Sequence, residues 1–123
     1  MIIQDIANCT HERVIDRSLL SELLHPDKVT GAKELECSIA HAIIPPGEST
    51  LPHLLKRSTE LYYILKGVGE MHIENESAPV SEGQCILIPP QARQWIRNTG
   101  RENLAFLCIV SPEWQATDEK LVT

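Results

Sequence analysis

The sequence predicts an all-β sandwich or barrel built as one domain. The first observation is a series of short runs from Glu34 onward: "ELECSIAHAII", "ELYYILKG", "GEMHIENE", "GQCILIPP", "RQWIRN" and "NLAFLCIVS". Each is rich in β-branched, aromatic or aliphatic residues, and six or seven such runs at close spacing read as strands of a sandwich or barrel. The second is the punctuation between them. Gly67, Gly69, Gly83, Asn98 and Gly100 mark breaks, and Pro45, Pro46, Pro89 and Pro90 stand where a ladder N–H is not required. The third is what is missing. The chain has 123 residues, 42% of them hydrophobic, with almost no helical periodicity between the runs and no apolar stretch near the roughly 18 residues of a membrane span.

Taken in order, residues 1–33 form a lead-in that packs on the barrel. Within it "RSLLSELLHPD" reads as a short helix from about Ser18 to Leu24, stopped before Pro26, with an edge strand as the alternative. Residues 34–111 form the β-barrel. Residues 112–123, "PEWQATDEKLVT", form a tail that is a short cap or a frayed end.

Charge and cysteine usage narrow the function. The net charge is −6 and no Lys/Arg run exceeds "LKR", which disfavours a nucleic-acid partner. The N-terminus carries acids early and has no basic region before an apolar core, unlike a secretory signal, so a reducing cytoplasm is the expected compartment. Cys9, Cys37, Cys85 and Cys108 contain no Cys-x-x-Cys pair. Cys37, Cys85 and Cys108 sit in apolar runs and are expected to be buried thiols acting as small hydrophobes.

The chemistry-bearing stretch is "PGESTLPHLLKRSTELYYILKG", Pro46 to Gly67. Residues two apart on a strand share a face. His53 therefore shares a face with Leu55, and Glu60 with Tyr62 and Ile64. If the two strands lie side by side in a closed barrel, the imidazole and the carboxylate both project into its lumen. Either group can ligate a metal or act as a general acid or base.

Gly47, His53, Leu55, Glu60 and Gly67 are separated by five, one, four and six residues. This resembles the first motif of the cupin superfamily, with Leu55 in place of its second histidine. Gly83, Pro89, Gln94 and Asn98 are similar to the second cupin motif. Gln94 stands at the histidine position there, and Gln91 stands where a glycine is usual. The resemblance covers about residues 35 to 110. It implies a double-stranded β-helix (jelly-roll) barrel with a luminal site, and it makes His53, Leu55, Glu60 and Gln94 the four positions around a metal centre.

Two readings of that site follow from the resemblance. In one, a divalent transition metal (iron, manganese, nickel or zinc) is held labile and partly occupied by His53, Glu60, Gln94 and water, with His41 a further donor if its strand turns it inward. In the other, His53 and Glu60 hydrogen-bond each other and Gln94 orients a small organic ligand. Leu55, Tyr62, Ile64 and Phe106 set the pocket's size. His11 and His25 are read as bystanders, and His72 as outward-facing because Met71 and Ile73 point inward. Trp95 and Arg97 face outward and suggest an interface of a homodimer. The expected function is small-molecule binding. The alternative is a metal-dependent enzyme of the dioxygenase, isomerase or decarboxylase class; a metal-free enzyme would use His53 or Glu60 as its base. No nucleic-acid or membrane partner is expected.

Overall fold

The computed structural model describes residues 1–122; Thr123, the last residue of the expected tail, lies outside the described residues. After a single 3-10 turn at Ile6–Asn8, the chain runs through strands β1 (Glu12–Arg13), β2 (Leu19–Leu24), β3 (Ser38–Ile44), β4 (His53–Leu55) and β5 (Thr59–Lys66). Strands β6 (Val68–Ile73), β7 (Glu76–Ser81), β8 (Cys85–Ile88), β9 (Gln94–Asn98), β10 (Leu104–Ser111) and β11 (Glu119–Leu121) complete it. One sheet has the order β1-β2-β3-β10-β5-β8 and the other β11-β4-β9-β6-β7. Every strand pairing is antiparallel. Among the described residues no helix is long and apolar enough to cross a membrane.

The two-residue side-chain period selects what faces the lumen. Along β5, Glu60, Tyr62 and Ile64 are buried and Tyr63 is exposed; along β10, Leu104, Phe106, Cys108 and Val110 are buried. From the opposite sheet come Met71 of β6 and Ile96 of β9, and Ile44 of β3 joins them. Ile44, Ile64, Met71, Ile96 and Leu104 pack one end of the lumen solid. Asn98 closes that end: its side-chain N–H groups donate to the carbonyls of Ile44 (2.8 Å) and Glu102 (2.7 Å), and its oxygen accepts from Gly100 N–H (2.8 Å). A buried amide satisfied on both ends costs little.

Several expectations change. Ser18 to Leu24 is not a helix: Leu19–Leu24 is β2, which sits between β1 and β3 in the first sheet. Its apolar cluster suits either period, and the sheet's need to cover β3 decides for a strand. The tail is not frayed: Glu119–Leu121 pairs with β4, Glu119 opposite Leu55 and Leu121 opposite His53. Of the three cysteines read as buried, Cys108 is buried, Cys37 is half-buried and Cys85 is exposed, because it begins β8 on the outward phase. His72 does point outward, stacked on Trp95 at 3.7 Å between ring centroids.

Gly69 marks no break; it lies inside β6, opposite Asn98 and Val80. A Cβ there would sit 2.8 Å from the Arg97 carbonyl oxygen and 2.8 Å from Leu104 Cδ2, so the glycine is a packing requirement. Gln91, where the related motif has glycine, has a φ of 70°. That left-handed conformation suits glycine. Here it is held by Gln91 N–H donating to the Leu55 carbonyl (2.7 Å) and the side chain donating to the Lys56 carbonyl (3.0 Å).

Gly69→Ala is expected to destabilise the protein by about 1–3 kcal/mol, because backbone and a buried leucine must both shift. Urea unfolding checks this; an unchanged midpoint would show that β6 and β10 are loosely packed.

Candidate functional site

At the other end the lumen opens into a cavity of about 340 Å³. Its apolar wall is built from Leu20, Ala40, Phe106 and Val110, with Val14 and Ile15 from the turn between β1 and β2. Tyr62 is buried in that wall, its ring centroid 4.4 Å from that of Phe106. Burial pushes the Tyr62 hydroxyl and the Cys108 thiol well above their usual ranges, with the charge of Glu60 adding to both. Both stay protonated at neutral pH, so Cys108 is no nucleophile.

His53 and Glu60 both line this cavity, and Gln94 lies behind them. The register places His53 opposite Gln94 across β4 and β9. The second of the two expected readings needs correcting in one respect. His53 and Glu60 bond other partners: Gln94 Nε2 donates to Glu60 Oε1 at 2.9 Å, and His53 Nδ1 lies 2.7 Å from the Leu51 carbonyl. A carbonyl can only accept, so Nδ1 carries the proton in the neutral ring. The lone pair is then on Nε2, 3.5 Å from Asp16 Oδ2.

Of the other residues read from the sequence, Tyr62 and Phe106 line the cavity, whereas Leu55 and Ile64 are buried outside its lining. His41 is not with them. It follows Ala40, which faces the cavity, and so points to the opposite face of β3, where its Nδ1 lies 2.8 Å from His11 Nε2. His11, read as a bystander, thus has a structural partner. His25 bonds the Trp114 carbonyl at 2.7 Å and pins the C-terminal segment.

Two carboxylates that the motifs do not contain complete the site. Asp16 is carried by the β1–β2 turn. Its Oδ1 accepts from the backbone and hydroxyl of Ser18 (2.9 and 2.7 Å), and its carbonyl accepts from Leu51 N–H (2.7 Å). Glu119 is carried by β11. Its Oε1 accepts from Trp114 Nε1 (2.9 Å), and its Oε2 is buried without a hydrogen-bond partner. Asp118 fixes that strand's entry by accepting from the backbone N–H groups of Arg57 (2.8 Å) and Ser58 (3.2 Å). Only an Asp-Ser turn signal at "DRS" and an indole-acid pair in "EWQATDE" could have pointed to these residues in the sequence.

The electrostatics follow from burial. Desolvation pushes the Glu60 carboxyl up to about 7; His53 and the Gln94 N–H pull it down, and Asp16 and Glu119 push it further up. Glu119 is raised by burial and by Asp16, against the opposing Trp114 hydrogen bond and His53. A carboxyl that is half-protonated near neutral pH can both give and take a proton.

The donor set does not fit a first-row transition metal. Leu55 has no donor atom. The Gln94 amide presents its N–H, not its oxygen, to Glu60. Among the described residues no group of three or more His, Cys, Asp or Glu is arranged to hold a metal ion. A site with two firm ligands binds such metals weakly.

Two antiparallel sheets around a lumen, with facing strands delivering a histidine and a glutamate into it, define a double-stranded β-helix protein. The chain belongs to the cupin family: residues 40–110 match the cupin-domain family model. An uncharacterised protein of Methanocaldococcus jannaschii is 40% identical over 107 residues, covering 87% of this chain and 83% of that protein. The oxalate-binding protein of Thermotoga maritima is 33% identical over 67 residues, 54% of this chain and 55% of that protein. Among solved structures, a predicted oxalate decarboxylase of Thermotoga maritima superposes with a TM-score of 0.80 at 24% identity, over 90% of this chain and 99% of that chain. The Streptomyces nucleoside dehydratase Pac13 superposes with a TM-score of 0.77 at 16% identity, over 99% of this chain and 91% of that chain. At these identities the structural likeness shows the fold.

Two outcomes are expected from the carboxyls. Glu60 binds its proton more tightly folded than unfolded, so its contribution to stability declines as pH rises from 4.5 toward about 7. Glu60→Gln should therefore be more stable than the parent above pH 7, on the order of 2 kcal/mol, and converge with it below 4.5; denaturation at several pH values reads this directly. Asp118 behaves oppositely. Burial raises its carboxyl, but the hydrogen bonds from Arg57 and Ser58 outweigh that and hold it below its usual 3.8. Asp118→Asn should cost on the order of 1–3 kcal/mol at pH 7, and the difference should shrink as pH falls below 3.8. A constant difference across that range would mean that the carboxylate is not what holds β11.

Proposed function

We propose that this cupin binds a small organic molecule in its lumen and moves protons on it with Glu60 and His53, without a resident metal. The observation that carries this reading is the pairing of a buried carboxyl raised to about 7 with an imidazole whose free Nε2 opens on the same cavity. A proton taken at Nε2 creates an imidazolium 3.5 Å from Asp16 Oδ2, which stabilises it. Glu60 in its acid form can return a proton to a leaving oxygen or to a carbon. Reactions of this type are eliminations of water and isomerisations through an enol, and each needs an acid and a base but no redox centre.

Two comparisons support the reading. Variants of Pac13, a nucleoside dehydratase, were solved with uridine, so a barrel of this shape can enclose a small organic ligand. The relative from Thermotoga maritima is an oxalate-binding protein, again a small-molecule binder. The metal-dependent reading has the family's general use of divalent metals in its favour and this chain's Leu55 and Gln94 against it.

The test combines composition with turnover. Elemental analysis of the purified protein should find metal far below one atom per chain, and native mass spectrometry should find a retained organic ligand. Incubation with a metabolite extract should convert a small set of masses in the presence of chelator. Glu60→Gln should slow that conversion by about 10²–10⁴-fold. Full metal occupancy, or conversion that chelator abolishes, would overturn the proposal. Leu55→His combined with Gln94→His should create metal affinity that the parent lacks, read by calorimetry with Zn²⁺.

A further inference from the structure

Asp16, Glu22, Glu60 and Glu119 all line the cavity, while among the described residues its basic groups are Lys28 and His53, with no arginine in the lining. Lys28 is already committed: it lies 3.4 Å from Glu22 and 4.9 Å above the Trp114 ring, half-exposed at the mouth. Three carboxylates are left facing a single imidazole.

The hydrogen-bond accounts point the same way. Trp114 satisfies one oxygen of Glu119, and the other is buried and unpartnered. Gln94 satisfies one oxygen of Glu60, whose side chain is 7% exposed, and among the described residues no donor reaches the second. Gln94 itself is 1% exposed and, among the described residues, its Oε1 is buried without a partner, but it lies behind the cavity lining, out of an occupant's reach. Among the described residues, Asp16 Oδ2 has the imidazole at 3.5 Å and no hydrogen-bond donor. All of these unmet groups are acceptors. A buried acceptor without a donor is destabilising, so the occupant that relieves those on the cavity must bring N–H or O–H groups, and positive charge relieves them most.

We propose that the lumen selects a small organic cation: a protonated amine on an apolar body, its ammonium held by Asp16, Glu60 and Glu119. This rests on the reading of the lumen as a small-molecule site and adds the class of molecule. The apolar body is matched by Val14, Ile15, Leu20, Phe106 and Val110. Trp114 already takes one ammonium, that of Lys28, on its face. The burial that raises Glu60 and Glu119 also makes a positive charge placed among them more effective than it is in water. At 340 Å³ the cavity lies at the small end of ligand pockets. A dicarboxylate such as oxalate meets like charge on three sides.

Three probes of one body and different head groups test this: benzylamine, benzyl alcohol and benzoate, with oxalate as a fourth. Binding is read by calorimetry and by the NMR shift of the Trp114 indole N–H in the whole protein. Benzylamine should bind best and move the indole signal, benzyl alcohol should bind about tenfold more weakly, and benzoate and oxalate should not bind. Glu119→Gln and Asp16→Asn should each weaken benzylamine about tenfold and weaken benzyl alcohol far less, which separates loss of charge from loss of fold. If benzyl alcohol or an anion binds and moves the indole while benzylamine does not, the lumen is a ligand site and the cation proposal falls. If no probe moves the indole, the small-molecule reading of the lumen falls with it.

Discussion

Burying the carboxyl of Glu60 is the constraint around which the lumen is arranged. A carboxylate on the inward face of a central strand would ordinarily be rejected by the core. It is tolerated because the inward face of β5 grades from polar to apolar: Glu60 meets the cavity, Tyr62 forms its wall, and Ile64 is sealed in the packed end. Gln94 supplies the one hydrogen bond that fixes the carboxyl's orientation. The packed end gives the barrel its stability, and the open end can therefore hold groups in conditions that oppose folding.

The same grading explains what was legible in the sequence. Strand alternation is a local property, so "ELYYILKG" and "NLAFLCIVS" announced their inward residues, and the motif resemblance implied that His53, Glu60 and Gln94 lie near one another. Leu19–Leu24 was ambiguous because its leucines fit either period; only the sheet edge it covers settles it. His41 was ambiguous because β3 is buried on both faces, its outer one under the N-terminal segment that carries His11. Asp16 and Glu119 were invisible for a different reason. They lie 37 and 59 residues from His53 and Glu60 in sequence, and nothing local links a turn acid or a tail acid to a lumen.

The lining of the lumen thus comes from two parts of the chain. Residues 40–110, the part that matches the family, supply His53, Glu60 and Gln94. The flanking segments supply Asp16, Glu119, Trp114 and Lys28, which set the charge and the walls of the mouth. A chain could keep its barrel unchanged and acquire a different ligand by altering its ends alone, since β1, β2 and β11 join the sheets at or near their edges.

One peptide unit ties these parts together. The N–H of Leu51 donates to the carbonyl of Asp16, and the carbonyl of Leu51 receives the Nδ1 proton of His53. The turn over the mouth and the ring inside it therefore hang from the same residue. That one residue sets both the height of the turn that carries Asp16 and the tautomer of the ring beneath it, so the carboxylate and the imidazole share a single point of suspension.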